Sequence, residues 1–484
     1  MDLLSPIAGL NAKTSLAEMR SREAIRLDNW VCRTDGLHVR AGYSVQSSGL
    51  GASPVALMRW YGSSNDTIFA TTATGLWNVT SAIATFVLPM QSGYVSSAIH
   101  TNAGRAVLVA VNGRDGLLTY NGAQWSLSGV TGCDASQWHS VCVHHNHLFA
   151  ADDARVWYLE QGAIMGPAHP AIPATLNIKT GGRIAGIASL QPTGGKSSDN
   201  LLCIAISGGE LIVYAGNNPR SKDSWSLQGV YRIPPPVTRN CFIEHGDMLH
   251  LVTRDGILPV PSILPADPAK KPTGATTNDV KNLWDLAYGT NDLAGLLGDY
   301  NGLNSGAGRF DLIRVPGAGT WVRPPETDGW SMLTDLGATC WLDDGEHLHF
   351  GRNNGTVCRY GGQDDNGASI QALMVGAFQN MKGQHQFSRA RLNFDRSGSY
   401  KPLFRVMTNY QNVPAGIVGA NVNASYYTWP AVAWPMVSAP DVPGRTRAQD
   451  LWRGLSGRGH VAAPILAVKT MAPLIYYGAE IEGA

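Results

Sequence analysis

The chain has 484 residues, and its 37 Lys and Arg against 36 Asp and Glu leave a formal net charge of +1. This near-neutral balance argues against a protein that holds duplex DNA through many Lys and Arg contacts with phosphates. The hydrophobic fraction of 44% is enough for a large core, which excludes disorder for the bulk of the chain.

Three further features of the composition narrow the class of protein. No run reaches the ~18 apolar residues of a membrane span, and the first residues lack the pattern of a secretory signal. The sequence therefore predicts no membrane anchor. Seven cysteines without a CxxC pair are typical of reduced thiols rather than of a disulfide framework. The 55 glycines favour many short strands joined by tight turns.

Residues 1–50 precede any repeat, and we interpret them as an N-terminal arm. Apolar residues recur loosely at helical spacing in the segment 15–30, SLAEMRSREAIRLDNW, which predicts a short helix. The next residues, CRTDGLHVRAGYS, predict a strand or an extended segment.

Residues 51–365 contain one repeating unit: a short strand, a turn of Gly, Asn or Asp, and a second strand that often ends in an aromatic residue. Asx-Gly pairs between apolar runs are a strong hairpin signal. Successive units are 39 to 54 residues apart except for the last gap of 99, which contains a weaker copy from Phe310. This spacing predicts a β-propeller of about six or seven blades, and the alternative is an array of β-sandwich hairpins. The units open at Thr67, Ala106, His147, Leu201, Met248 and His347.

The long gap contains the best helical pattern in the chain, near residues 276–297. Val280, Leu283, Trp284 and Ala287 follow the i, i+3, i+4, i+7 rule and would form one apolar face. The sequence thus predicts a helix inserted in the propeller, which either docks a partner or covers the edge of a sheet.

Residues 366–484 lose the blade pattern but contain five strand-like runs, which predict a C-terminal β-rich, sandwich-like domain. Within it, residues 413–453 are rich in Pro, Trp and Tyr and predict a long aromatic loop. Such a loop is either an interface or a segment folded back on its own sheet. The predicted fold class is therefore all-β: a propeller with an inserted helix, plus this domain.

The segment Cys142–His147, CVHHNH, is a candidate metal site, with Cys133 and His139 nearby. Strand alternation would place Cys142 and His144 on one face and His145 and His147 on the other. A closed tetrahedral site needs four convergent ligands, and a second pair is not evident. We therefore interpret these residues as part of a strand and predict no metal. The pair His347 and His349 is a weaker case of the same kind.

Other polar motifs also give no specific chemistry. The acidic pairs at 152–153, 343–344 and 364–365 lie where hairpin turns are expected, and Asx turns explain them. The segment GGKSS at 194–198 lacks the first glycine of a phosphate-binding loop. Arg389, Arg391 and Arg396 alternate with apolar residues and form either a phosphate-facing stripe or a solvated strand face. We predict no catalytic residue and no cofactor site.

Several segments resemble the tail nozzle proteins of short-tailed bacteriophages, also called tail tubular protein B or packaged-DNA stabilisation hub proteins. The resemblance rests on PIAGLNAK at 6–13, on Glu23–Asn29 with the turn Val39–Gly42, and on the order of arm, blades, helix and β-rich domain. It also includes HLHFGRNNGTVCRYGGQDDNG at 347–367 and the closing PLIYYGAEIE.

The resemblance implies a structural virion protein rather than an enzyme, made in the host cytoplasm and built into the phage tail. It implies a self-assembled ring, expected to be a homohexamer, below the adaptor, the head-to-tail connector protein. A tail fibre, spike or needle protein would be a further partner, and genomic DNA would make transient, non-specific contact with the channel until ejection. The alternative function is a β-propeller that binds or cleaves glycans.

Overall fold

The computed structural model describes most of the chain. The described residues are 2–62, 66–172, 178–190, 200–221, 223–239, 241–245, 248–264, 272, 274–288, 300–305, 308–315, 319–324, 326–396, 400–410, 446–449, 452–455 and 457–483. Residues 413–445 and 450–451 of the predicted aromatic loop lie outside them. So do the motif at 194–198 and the end of the predicted helix beyond residue 288.

Six small antiparallel sheets of the described chain are the blades of a β-propeller, which confirms the predicted fold class. Each Asx or glycine turn predicted from the repeat joins the second and third strands of a blade. Blade 1 consists of Ala56–Trp60, Thr67–Thr72, Gly75–Asn78 and Thr85–Pro89. Blade 2 consists of Ser96–Asn102, Arg105–Val111, Leu118–Tyr120 and Trp125–Leu127. Blade 3 consists of Ser140–His144, His147–Ala151, Val156–Tyr158 and His169–Pro170. Blade 4 consists of Ile184–Leu190, Leu201–Ile206, Glu210–Gly216 and Trp225–Arg232. Blade 5 has three strands, Phe242–His245, Met248–Thr253 and Gly256–Pro259.

Blade 6 closes the ring with a strand from the other end of the propeller. Its sheet combines Ala338–Asp343, Leu348–Arg352 and Thr356–Tyr360 with Tyr43–Ser47, which pairs antiparallel with the third of these strands. The backbone at Gly42 packs closely against Asp364, because a Cβ at position 42 would lie 1.8 Å from the carbonyl oxygen of Asp364. The predicted arm thus supplies the strand that completes the last blade.

A four-stranded meander lies between blades 5 and 6 and takes the place of a seventh blade. It contains the weaker repeat copy predicted from Phe310. On one side, Ile313 and Trp321 pack with residues of blade 5, and on the other Leu312 and Val322 pack with Trp341 of blade 6. Its strands are Tyr300–Ser305, Gly308–Val315, Gly319–Arg323 and Ser331–Leu333.

The inserted helix begins as a 3-10 turn at Asn278–Val280 and continues as an α-helix at Lys281–Tyr288, after a short helix at Val260–Ile263. The predicted apolar face is confirmed for Val280 and Trp284, which are fully buried beside Tyr288. The indole of Trp284 donates to the carbonyl oxygen of Thr253 in blade 5, at 3.2 Å. The helix therefore fills the space between blade 5 and the meander.

The C-terminal strands confirm the β-rich domain, and they form one curled sheet, a half-barrel, together with strands from the N-terminus. The meander continues directly into this sheet, because Ser331–Leu333 pairs with Glu23–Asp28. The main strands are Glu23–Asp28, Trp30–Arg33, Gly36–Val39, Ile370–Gly376, Gln379–Arg396, Tyr400–Thr408, Arg458–Thr470 and Leu474–Gly483. Shorter strands at Asp2–Leu4, Gly9–Leu10, Thr446–Gln449 and Arg453–Gly454 extend it.

The helix predicted at 15–30 is wrong. Residues Glu23–Asp28 form a strand that pairs with Ile370–Gly376 and also contacts Gly9–Leu10 and the meander. The loose helical spacing is a weak preference, and hydrogen-bond partners on both edges of this strand override it. Asn29, with φ of 60°, ends the strand and turns the chain into Trp30–Arg33.

Candidate functional site: the propeller channel and its polar clusters

The first strand of each blade faces the axis, and together these strands enclose a channel of about 510 Å³. Small side chains at the axis let the strands approach one another. At Gly186, for example, a Cβ would lie 2.8 Å from the carbonyl oxygen of Arg239. The channel has two mouths. Arg239 precedes the first strand of blade 5 and lies at the first mouth, whereas Tyr61 and Asp343 lie at the C-terminal ends of the first strands of blades 1 and 6, at the second mouth. Small lining residues include Ala56, Ser96, Ala98, Ser140 and Ala188.

Asp153 is the centre of a charged cluster at the first mouth. Its carboxylate accepts hydrogen bonds from Arg239 at 2.9 Å and from Arg183 at 3.1 Å. His139 lies 3.6 Å away with a side chain that is only 3% exposed. Burial lowers the pKa of His139, and the nearby Arg239 charge adds to this, so the imidazole is neutral at pH 7. The cluster carries a net charge of about +1, and its exposed arginines make weak surface ion pairs.

No motif in the sequence indicates this cluster. From the sequence, Asp153 is expected only as a turn residue, and the two arginines follow it by 30 and 86 positions. Three different turns bring the groups together, and no local pattern encodes such a meeting.

The second mouth carries Arg59, which bonds Asp66 and lies over the ring of Tyr61 at 4.2 Å. Beside it, Asp343 ends the first strand of blade 6 and Asp344 begins the turn to the second strand. A Cβ at Gly345 in this turn would lie 3.7 Å from a guanidinium nitrogen of Arg59. The turn therefore sits at the junction of blade 6 with blade 1, where the ring closes.

The hairpin of blade 6 brings together the donor atoms of Asp344, His347 and His349, all within 4.8 Å of one another. Asp344 Oδ2 lies 2.6 Å from His349 Nε2 and 3.9 Å from His347 Nδ1. Burial opposes ionisation of Asp344, but the hydrogen bonds from His349 and from backbone amides outweigh it and lower its pKa. Burial also lowers the pKa of His349, which Asp344 only partly offsets.

The histidines of Cys142–His147 do not follow the predicted alternation. His145 and Asn146 have φ of 47° and 59° and form a hairpin turn, so that His147 lies directly opposite His144. This contradicts the predicted separation of His144 and His147 onto opposite faces. A period-two rule holds only within a strand, and here the chain reverses direction after His144.

The imidazoles of His144 and His147 are hydrogen-bonded to other groups of the protein. His144 is bonded through Nδ1 to the hydroxyl of Ser189 at 2.8 Å and through Nε2 to the carbonyl oxygen of Gly216 at 2.9 Å. Burial lowers the pKa of His144 to about 4. His147 Nδ1 lies 2.9 Å from the carbonyl oxygen of Leu159. The strand interpretation of this segment therefore agrees with the contacts of its side chains.

Apart from Asp153 in the charged cluster described above, the acidic pairs act as expected in turns, with one exception. Asp152 Oδ1 accepts from the amides of Ala154 and Arg155 at 2.7 Å, and Asp364 Oδ1 accepts from Gly367 at 2.6 Å. The exception is Asp365, whose two oxygens receive Arg40 at 2.7 and 2.6 Å. This pair joins the N-terminal turn at 39–42 to the segment that leaves blade 6.

Arg389 and Arg391 share one face of their strand, as predicted, but acidic residues of the neighbouring strand neutralise them. Arg389 pairs with Glu482 at 2.5 Å, and Arg391 pairs with Glu480. Both guanidinium groups also lie over the ring of Trp452, at 4.8 and 5.0 Å. The side chain of residue 396 lies outside the described part of the chain. These contacts favour the solvated strand face over a phosphate-facing stripe.

The thiols offer no activated nucleophile among the described residues. All seven cysteines are free, and six of them are buried. Burial raises the pKa of Cys32, Cys203 and Cys241 to about 12, so the reactive thiolate is scarce at neutral pH. Neither described α-helix could span a lipid bilayer.

The described lining of the channel contains a single carboxylate, Asp343. Glycoside hydrolysis generally uses a pair of carboxylates about 5 to 9.5 Å apart on either side of the scissile bond. Among the described residues that line the channel there is no acid and base pair of this type.

Known proteins of similar structure share little sequence with this chain. No model of a known protein family matches the sequence, and no curated relative matches it. The structure of BBS1N in complex with ARL6DN is similar over 68% of this chain and 99% of that one, at 11% identity and a TM-score of 0.41. The extracellular domain of the one component system BT4673 from B. thetaiotaomicron is similar over 74% of this chain and 48% of its own, at 11% identity and a TM-score of 0.42.

A catalytically inactive virginiamycin B lyase from Staphylococcus aureus, with quinupristin, is similar over 65% of this chain and 97% of its own. Its identity is 11% and its TM-score 0.42. Similarities of this size carry no argument about activity or partners.

Proposed function

We propose that this protein is a structural component of a short-tailed bacteriophage tail, a nozzle or hub ring that guides and retains packaged DNA until ejection. The observation that carries the proposal is the continuity of one sheet from the propeller into the half-barrel. The meander strand Ser331–Leu333 pairs with Glu23–Asp28, which in turn pairs with Ile370–Gly376. The meander meets this strand at one residue pair, Asp28 opposite Met332, and the strand pairs with Ile370–Gly376 at four positions. Backbone pairing of this kind connects the two bodies and resists their separation, as a permanent ring requires.

The two ends of the chain reinforce this connection. Asp2–Leu4 pairs with Leu474–Gly483, and Gly36–Val39 pairs with the same C-terminal strand. Tyr43–Ser47 then closes blade 6. Because the N-terminal segment is hydrogen-bonded to both bodies, neither could detach without unfolding part of the other. This interlocking suits a permanent structural part better than a module that opens to admit substrate.

The dimensions of the propeller channel favour a conduit built between protomers. A volume of about 510 Å³ cannot hold a duplex whose major groove alone is about 12 Å wide. DNA would therefore pass through the centre of a ring of copies, which we propose is a homohexamer. A formal net charge of +1 suits this role, because a chain without an excess of cations would attract passing phosphates only weakly.

The proposal includes partners and location. The ring would bind the adaptor on one side and a tail fibre, spike or needle protein on the other, and it would contact DNA only transiently and non-specifically. It would be made in the host cytoplasm and reside in the virion without a membrane anchor. We propose no enzymatic activity, since the described channel lining offers one carboxylate where a glycosidase uses two.

The test is the mass of the purified chain, measured by light scattering alone and with the adaptor protein, followed by electron microscopy of any ring. We expect about six copies in a ring, formed alone or on the adaptor. A chain that stays monomeric with the adaptor and binds or cleaves glycans would refute the proposal and favour the alternative function.

A further inference from the structure

The hairpin of blade 6 contains a cluster of metal-type donors that the proposed structural role does not use. We propose that Asp344, His347 and His349 bind one divalent cation of the zinc class, with a fourth position open to water. The inference is independent of the proposed function, because it depends only on the geometry of this hairpin.

The two carboxylate oxygens of Asp344 have different partners. Oδ1 accepts hydrogen bonds from the backbone amides of Glu346 at 2.9 Å and His347 at 2.6 Å. These bonds fix the carboxylate and leave Oδ2 directed toward the two imidazoles. A ligand oriented by backbone amides in this way is typical of a supported metal site.

His347 immediately precedes the strand Leu348–Arg352 and His349 is the second residue of that strand, and the centroids of their rings lie 6.3 Å apart. His349 is 4% exposed, and its Nε2 lies 2.6 Å from Asp344 Oδ2. His347 is 31% exposed, and its Nδ1 lies 3.9 Å from the same oxygen. One ligand is thus rigid and the other can still adjust.

The distances fit an ion after a small movement. Zinc binds imidazole nitrogen and carboxylate oxygen at about 2.0 to 2.2 Å, which places tetrahedral ligand atoms about 3.4 Å apart. The two separations from Asp344 lie on either side of that value. The ligand nitrogens of the two histidines lie within 4.8 Å of each other, so they must approach by at most about 1.4 Å. Two nitrogens and one oxygen favour zinc and similar transition metals over calcium or magnesium, which prefer oxygen alone.

The surroundings also limit the affinity. His349 Nδ1 is buried and has no hydrogen-bond partner among the described residues, so no acceptor fixes the tautomer that a metal requires. Loss of such an outer partner typically lowers metal affinity about 10- to 100-fold. We therefore expect micromolar rather than nanomolar binding, with the ion acting as a structural clip on the blade that closes the ring.

The test uses the untagged full chain, stripped with a chelator and titrated with zinc chloride by calorimetry. We expect one zinc ion to bind per chain in the parent protein. In His347→Ala and Asp344→Asn, the Kd for zinc should rise by roughly tenfold or more. The matched control is His460→Ala, an exposed histidine of the half-barrel, which should bind as the parent does.

Two further measurements separate metal binding from loss of fold. Zinc should raise the Tm of the parent and of His460→Ala but not that of His347→Ala, since only a ligand of the native state stabilises it. Cobalt added to the parent should give the visible spectrum of a four-coordinate site. Absence of this zinc binding in the parent, or equal binding by His347→Ala in its folded form, would overturn the proposal and leave a hairpin held by an Asx turn and one histidine–aspartate hydrogen bond.

Discussion

The ion pair between Arg40 and Asp365 offers a sharp test of how the N-terminal segment holds the two bodies together. The guanidinium is fully buried and makes two hydrogen bonds to a carboxylate that is 13% exposed. Its Nε donates to Asn29 Oδ1 at 2.8 Å, and Asn29 in turn donates to the carbonyl oxygen of Gln371 in the half-barrel at 2.7 Å. The perturbation is Asp365→Ala.

The expected loss of stability follows from these contacts. The substitution leaves Arg40 buried and charged, with only neutral acceptors at Asn29 and Ala41. Breaking one side of a buried pair costs about 3 to 5 kcal/mol. Slight exposure of the carboxylate lets water reach part of the site, so we expect a value near about 3 kcal/mol.

A double variant separates the pair from its surroundings. Replacing both partners, Arg40→Met with Asp365→Leu, removes the orphaned charge and should recover most of the stability, to within about 1 to 2 kcal/mol of the parent. Asn29 Oδ1 would still accept from the amide of Thr334 at 2.8 Å. The double variant should therefore be more stable than Asp365→Ala alone.

The assay is urea unfolding of the full chain followed by tryptophan fluorescence, with midpoints and slopes compared at one pH. The control is Asp285→Ala, which breaks the exposed pair of Asp285 with Lys281 on the inserted helix and should cost under about 1 kcal/mol. A midpoint shift for Asp365→Ala no larger than that of this control would refute a stabilising role for the buried pair.

Three further predictions concern ring closure, the inserted helix and pH. Gly42→Ala should destabilise by more than about 3 kcal/mol, because its Cβ would overlap the backbone of Asp364, while Gly129→Ala meets nothing within 4 Å and should be nearly neutral by thermal unfolding. Trp284→Ala should cost about 3 to 5 kcal/mol in urea against under about 1 kcal/mol for the exposed Leu286→Ala, and equal effects would contradict the packing of this helix. The pKa of His144 is lowered from 6.5 to about 4 in the fold, so its stabilising contribution is present above pH 6.5 and is lost as the pH falls toward 4. From pH 7.5 to pH 5 that loss is about 2 kcal/mol, and His144→Gln should show a correspondingly smaller drop in urea midpoint.

Local signals in the sequence were enough for the propeller. Turns such as Asn112-Gly113 and Asn354-Gly355 each lie between two strands of a blade, because an Asx-Gly pair determines a tight reversal from its own backbone preferences. The start of the inserted helix was also predictable, since Val280 and Trp284 are neighbours on a helix whatever surrounds them. These features depend on residues a few positions apart.

The polar clusters needed the complete fold. His139, Asp153 and Arg239 meet only because three turns converge at one mouth of the channel. His347 and His349 were visible as a motif, but their approach to Asp344 depends on how the hairpin of blade 6 turns. Distances between side chains on separate turns follow from strand register, which the spacing of residues in one segment does not specify.

The sequence by itself determined the all-β class, the repeat and the places where the chain reverses, because each of these follows from side-chain alternation and turn preference within about ten residues. Only the tertiary structure decided that Glu23–Asp28 is a strand, that Tyr43–Ser47 closes blade 6 and that the half-barrel continues the meander. The physical reason is that a strand gains its hydrogen bonds from partners hundreds of residues away, and those partners exist only once the rest of the chain has folded.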